Sequence, residues 1–182
     1  MEVPLEVISW LRRKYPKPKV DPEWLSQCFE YVVTELNPSS MDETNRHVQT
    51  QLLASDLRDS MLPGTGAPSN IAELDNAFLA GPVLVQILAI TDIGHSAFSL
   101  QTTRQTRIDK ADLAGLAEAE GDSEEEDANS IPKYPRGMLR FELSDGSQTF
   151  PAIEYRRIKD LELGVTPLGY KVILSFNLAL SS

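Results

Sequence analysis

An interruption limits the architectures open to this chain more than any other feature of its sequence. A strand-like apolar run, Gly81 to Asp92, is separated from its natural hairpin partner, Met138 to Leu143, by about forty residues, where hairpin loops usually take ~2–5. The next connection, Ser144-Asp145-Gly146-Ser147, is short and lies between alternating apolar residues. Asp-Gly in that setting predicts a tight type I′ hairpin, because both residues accept positive φ. A sheet with one economical turn and one oversized loop directs attention to the loop, since long connections in compact domains are usually functional.

The strands around the loop have distinct patterns. Leu139, Phe141 and Leu143 alternate with Arg140 and Glu142, which predicts a strand with one wet face. Phe150, Ala152 and Ile153-Glu154-Tyr155 continue the sheet after the Asp-Gly turn, and Tyr170, Val172, Leu174 and Phe176 alternate in a later strand. The first strand is apolar on both faces from Val83 to Ile90, so either helices or another protein must cover its second face. Short antiparallel strands of this kind favour a small Greek-key barrel of the OB type over a βαβ sheet.

Upstream, the first sixty residues read as three amphipathic helices. Leu5, Ile8 and Leu11 make the stripe of the first, which Tyr15-Pro16-Lys17-Pro18 ends. Asp21, Pro22 and Glu23 open the second, as cap, first helical residue and dipole partner. Its stripe is Trp24, Leu25, Cys28, Phe29, Val32 and Leu36. Asp42 or Ser40 can cap the third, which carries Val48, Leu52, Leu53, Leu57 and Met61. Helices of this kind need each other for stability. The expected class is therefore α+β: a three-helix bundle over 1–62, a linker over 63–80 rich in Pro and Gly, and an OB-type barrel over 81–182.

Composition sets further bounds. At 182 residues, 41% hydrophobic and 24% charged, the chain has ordinary globular composition. No apolar run approaches the ~18–20 residues of a membrane span, and the N-terminus lacks a signal-peptide pattern, so an intracellular protein without a membrane segment is expected. The net charge of −10 argues against a broad nucleic-acid footprint. The charge is segregated: Arg12, Arg13, Lys14, Lys17 and Lys19 cluster near the N-terminus, while Glu118, Glu120, Asp122, Glu124, Glu125, Glu126 and Asp127 sit in the interruption. Seven acids without a base predict a solvated, disordered spacer, in which Ser123 would suit an acidophilic kinase.

No P-loop, dinucleotide fingerprint, His-Glu-x-x-His or Gly-x-Ser-x-Gly occurs in the sequence. His47 and His95 have no cysteine or third histidine near them, and lone Cys28 reads as a small core hydrophobe. No catalytic residue, metal site or cofactor is expected.

Several stretches are more specific: Val20-Asp21-Pro22-Glu23-Trp24-Leu25, Gln51 to Asp59, Gln86-Ile87 through Asp92-Ile93, Met138 to Gly146, and Glu154-Tyr155 with Thr166 to Leu174. In this order and spacing they resemble the N-terminal part of the RecQ-mediated genome instability protein 1 family, over nearly the whole chain. The resemblance implies a helical bundle followed by an OB-fold, no enzymatic activity, and a nuclear role. The implied partners are topoisomerase III and a RecQ-type helicase, acting together to dissolve double Holliday junctions. It also implies that the insertion, about 93–136, reaches into the topoisomerase gate. Ile93, Ala97, Phe98 and Leu100 on its outgoing side and Ile131, Pro132 and Tyr134 on its returning side are then the expected contacts, with Tyr170 and Lys171 on a rigid docking strand. Arg156, Arg157 and Lys159 are the candidates for a weak DNA contact, and the rival reading is an independent OB-fold nucleic-acid-binding module. One departure from the family pattern is that the chain stops after Ser175 to Ser182, which leaves the expected barrel without its closing strand.

Overall fold

A computed structural model describes residues 1–73, 79–120 and 131–175. Its elements are helices α1 (Leu5–Lys14), α2 (Pro22–Tyr31), α3 (Met41–Ala54) and α4 (Leu57–Ser60), strand β1 (Val83–Asp92), helix α5 (Ala97–Glu120), and strands β2 (Leu139–Ser144), β3 (Thr149–Ile153) and β4 (Lys171–Leu174). By its contacts the chain divides into two units. The first comprises Met1–Ala89, Phe141–Ala152 and Leu168–Ser182, and the second Ile90–Arg140 and Ile153–Pro167.

Local chemistry explains the helices of the first unit. The Asp21 carboxylate accepts from the backbone N–H of Glu23 at 2.7 Å and of Trp24 at 3.1 Å, satisfying two of the donors a helix start leaves free. α2 then widens into a π-helical turn, Val32–Leu36, and stops at Asn37, whose φ of 44° is left-handed. Ser40 rather than Asp42 caps α3, accepting from Glu43 N–H at 3.2 Å, while Glu43 reaches back to the Ser39 N–H at 2.8 Å. The pair satisfies donors on both sides of the cap, in the manner of a capping box.

Two stripes differ from expectation. Leu5 is 80% exposed and α1 buries Val7 beside the expected Leu11, while Leu36, the last residue of the π-helical turn, is exposed. The third helix is also shorter than its periodicity predicts. It ends at Ala54, and Leu57 and Met61 belong to the segment started by Asp56, whose side chain accepts from Arg58 N–H at 2.8 Å. Leu57 and Met61 remain in the core. Cys28 lies in the same core, and burial pushes its thiol up to about 11, as expected of an inert thiol.

Among the described residues the strands form a four-stranded sheet in the order β3-β2-β1-β4. β1 and β4 run antiparallel with Val83 opposite Leu174 and Gln86 opposite Lys171. β2 alternates as the sequence predicts, burying Leu139, Phe141 and Leu143 and exposing Arg140 and Glu142. β3 ends at Ile153, so the expectation of a strand through Tyr155 is corrected: Tyr155 is 90% exposed, off the sheet. The residues that follow Ser175 in the expected last strand, and Asp122 to Asp127 of the acidic spacer, lie outside the described residues. Glu118 and Glu120, assigned from composition to the disordered spacer, fall inside α5.

Helices cover the second face of β1. Leu84 is part of the same buried cluster as Val7, Leu11, Leu25, Phe29, Val48 and Leu52. Two residues along, on the same face of the strand, Gln86 is buried too, with its Oε1 accepting from Leu57 N–H at 3.1 Å and its Nε2 donating to Asp56 at 2.8 Å. From the neighbouring strand, Lys171 donates to the carbonyl of Ser55 at 2.6 Å. The break after α3 therefore has its freed backbone groups answered from the sheet, as buried polar groups require.

The Asp-Gly hairpin occurs where predicted, with a different turn. Gly146 has positive φ (96°) but Asp145 does not, so the turn is not type I′. The buried Asp145 carboxylate instead accepts from Ser147 N–H at 2.9 Å, Gln148 N–H at 2.8 Å and Ala67 N–H at 2.7 Å. Residues 64–67 are thereby tied to the hairpin. Gly146 is required twice over, because a Cβ there would meet the Leu57 carbonyl oxygen at 2.3 Å as well as straining the backbone.

Replacing Gln86 by Leu keeps its bulk but leaves the buried Leu57 N–H without an acceptor. Unfolding free energy is expected to fall by about 1–3 kcal/mol, read as a lower urea midpoint with an unchanged slope.

Candidate functional site: the neck of the insertion

The second unit carries the insertion and the residues that close its base. Where β1 ends, Asp92 is buried, yet its carboxylate is fully engaged. It accepts from Gly94 N–H at 2.8 Å, from the Gly137 N–H, and from His95 Nδ1 at 3.1 Å. Burial alone would raise its pKa, but the Gly137, His95 and Gly94 hydrogen bonds and the His95 charge outweigh it, so it lies below the ordinary carboxylate range. Ile93 N–H donates to the Met138 carbonyl at 2.8 Å. The outgoing and returning chains thus meet here, close enough that a Cβ on Gly137 would come within 3.0 Å of Gly94 Cα and 2.9 Å of an Asp92 oxygen. Only glycine fits such an approach.

A second buried carboxylate completes the neck. Glu154 receives both guanidinium arms of Arg136, at 2.8 and 2.6 Å, the Leu139 N–H at 3.2 Å, and the Ile158 N–H. Arg136 also donates to the Gly137 carbonyl at 2.8 Å. This fork-to-fork geometry is the strong form of a charge-assisted pair. The Arg136 bond, chiefly, pulls the Glu154 pKa down to about 2 against the opposing effect of burial, and Glu154 in turn raises that of Arg136.

From this base α5 departs. None of its described side chains, from Ala97 to Asp112, is buried. One tie to the returning chain is Arg107, which donates to the Pro132 carbonyl at 2.6 Å and stands 5.0 Å from the Tyr134 ring centroid, within cation–π range.

The residues singled out from sequence take different places. Phe98 is 79% exposed; Ile93, Ala97 and Ile131 are exposed; Leu100, Pro132 and Tyr134 are half-buried. Arg107 brings Pro132 and Tyr134 together, and Tyr134 lies against Gly164. In the first unit Tyr170 is exposed, whereas Lys171 has its ammonium bound to the Ser55 and Gly169 carbonyls, and burial holds its pKa below the ordinary value against the pull of Asp56. Arg156, Arg157 and Lys159 are exposed, with the Arg156 guanidinium 5.9 Å from the Tyr155 ring centroid. The sequence reading placed Asp92 and Glu154 in strands and assigned no functional role to Asp92, Arg136, Gly137 or Glu154. The available signal was a pair of acids, Asp92 and Glu154, adjoining apolar strand residues.

Comparison with known proteins separates a helical part of the chain from an OB-fold part. Residues 11–60 match a family described as RMI1, N-terminal helical domain, and residues 67–181 match RMI1, N-terminal OB-fold domain. The chain belongs to the RMI1 family. It is 30% identical over 169 residues to RecQ-mediated genome instability protein 1 of Xenopus laevis, covering 92% of this chain and 28% of that protein. It is 29% identical over 176 residues to the Mus musculus protein of the same name, covering 93% and 26%. Against the Schizosaccharomyces pombe protein of that name it is 24% identical, covering 86% and 72%. The chain thus spans under a third of the vertebrate relatives' length. In this RMI1-family chain the match to the OB-fold domain includes the whole insertion and its neck.

Glu154→Gln removes the charge facing Arg136 and is expected to cost about 3–5 kcal/mol, the usual penalty for stranding one partner of a buried pair. The pH dependence has a definite sign. Because folding lowers the Glu154 pKa from 4.5 to about 2, its stabilisation is complete above the unfolded value and fades as pH falls through that window. Hydrogen exchange at the Ile158 and Leu139 amides should therefore accelerate, relative to intrinsic rates, between about pH 4.5 and 2, and Glu154→Gln should flatten that profile.

Proposed function

We propose that this chain serves a non-catalytic, partner-binding role in genome maintenance, in the nucleus, with topoisomerase III and a RecQ-type helicase. On this reading its OB-fold docks on the topoisomerase and the insertion modulates the enzyme's gate, promoting double Holliday junction dissolution. Family membership and relatives named for RecQ-mediated genome instability support the setting. The observation that carries the mechanism is the contrast within the second unit. Buried, fully bonded carboxylates fix the base of the insertion, while α5 presents Phe98 and Ile108 to solvent and buries none of its described side chains.

An exposed helix with that little packing contributes slight stability of its own, which makes sense if its apolar residues are held for a partner. A pinned base limits the entropy lost when the helix docks. At 24 residues α5 is about 36 Å long, enough to enter a protein-sized opening.

The test separates docking from gate control. Replacing residues 97–133 by a short Gly-Ser linker leaves Asp92, His95, Arg136 and Glu154 in place. Topoisomerase binding should persist in pull-down while stimulation of decatenation is mostly lost. Phe98→Ala with Leu100→Ala should reproduce that loss in part, whereas neutralising Glu124, Glu125 and Glu126 should do little. Loss of all binding would assign docking to the insertion, and unchanged decatenation would remove it from the mechanism.

A second reading, an OB-fold nucleic-acid-binding module, draws on exposed Tyr155 with Arg156 near its ring and Arg157 and Lys159 close by in sequence, the aromatic-plus-basic chemistry that single strands favour. With a net charge of −10, binding of a single-stranded oligonucleotide is expected to be weak and to fade steeply as salt rises to physiological strength. Tight, salt-insensitive binding would favour this reading over the first.

A further inference from the structure

The helical part of the first unit contains a cavity that the insertion and the OB strands do not account for. It has a volume of about 200 Å³ and is walled by Ile8, Leu11, Tyr15, Val20, Leu25 and Leu62. Its lining also includes two cations, Arg12 and Lys19, and no carboxylate. These belong to the basic cluster that stands out in an otherwise acidic chain. Two other members of that cluster are internally engaged: Lys14 donates to Gln49 at 2.7 Å and lies 5.0 Å from the Trp10 ring centroid, and Lys17 donates to the Ala80 carbonyl at 2.8 Å. The side chains of Arg12 and Lys19 are exposed and have no hydrogen-bond or ion-pair partner among the described residues.

We propose that this cavity is a docking site for a short acidic peptide segment of a partner protein, with one large apolar side chain in the cavity and flanking carboxylates on Arg12 and Lys19. The inference is independent of the topoisomerase reading and concerns a different surface. Size argues for one side chain, because small-molecule and cofactor sites usually run to ~300–1,000 Å³. The walls argue against nucleic acid. Single strands are held by exposed aromatic platforms along a continuous basic groove, whereas the one aromatic ring here, Tyr15, is buried. An apolar anchor in a concave pocket with basic residues beside it is instead the usual arrangement for reading an acidic linear motif. The walls are also pre-formed. Val20 pairs with Met61 in an isolated bridge, Leu62 N–H donates to the Lys19 carbonyl at 2.8 Å, and Tyr15 N–H donates to the Leu11 carbonyl at 2.7 Å.

The test pans a phage-displayed library of random peptides against the full chain. The enriched consensus is then made with a fluorescein label and titrated by polarisation. The expected consensus is one Phe, Leu or Trp flanked by Asp and Glu, whose binding weakens with salt and shifts the amide resonances of Val20 and Leu62. Arg12→Gln with Lys19→Gln should weaken that peptide at least tenfold without changing the thermal midpoint, and Ile8→Trp, which adds bulk to the cavity wall, should abolish binding. Enrichment of non-acidic peptides, or none, would overturn the proposal. So would equal binding by the double variant, or tighter binding there of a single-stranded oligonucleotide that displaces the peptide.

Discussion

Two carboxylates, Asp92 and Glu154, are buried at the neck of the insertion and satisfied almost entirely by the two chain segments they hold together. An ionised carboxylate taken out of water is tolerable only with several donors around it. Here those donors are Gly94, Gly137 and His95 for Asp92, and Arg136, Leu139 and Ile158 for Glu154. Parting the outgoing and returning chains would take the Gly137 donor from Asp92, and parting the returning chain from residues 154–158 would take Arg136 and Leu139 from Glu154, so the insertion departs from and returns to a fixed point. That constraint turns a connection of about forty residues, which loop statistics alone would treat as loose, into an appendage with a defined base.

A second constraint acts in the first unit, where β1 is apolar on both faces. Covering its second face with helices rather than with a partner lets Leu84 join the helical core and lets Gln86 answer the Leu57 N–H exposed by the break after α3. The Asp145 carboxylate does the same for the segment that leaves the helices, taking the Ala67 N–H. Helices and OB strands in this unit are therefore joined by polar groups that cannot be left unpaired as well as by apolar contact. The specificity of such polar contacts, more than their net energy, fixes the register in which the elements meet.

Where these local signals were strong the sequence announced them. The Asp21 cap, the alternation of Leu139, Phe141 and Leu143, and the position of the Asp-Gly turn all follow from residues within a few positions of each other. What was not legible depended on distant partners. Periodicity carries the third helix on to Met61, but Asp56 ends it, because its carboxylate serves both Arg58 and Gln86. Asp145 leaves the type I′ conformation because its side chain is committed to Ser147, Gln148 and Ala67. At the neck, no spacing rule pairs residue 92 with 137 or 136 with 154. Apolar residues in the insertion such as Phe98 could be picked out from sequence, whereas the buried polar residues that close its base could not. Lys171 shows the converse, since a lysine that reads as surface is spent on the Ser55 and Gly169 carbonyls.

Charge segregation gives these surfaces different kinds of selectivity. With a net charge of −10 the chain repels extended polyanions at long range, and beyond a Debye length of ~8 Å salt screens what attraction a local basic cluster could exert. An anion held at Arg12 or Lys19 must therefore gain most of its affinity at short range, by burying apolar surface in the adjoining cavity as well as meeting the cations. A nucleic acid offers charge without a side chain that fits there; an acidic peptide with one apolar residue offers both.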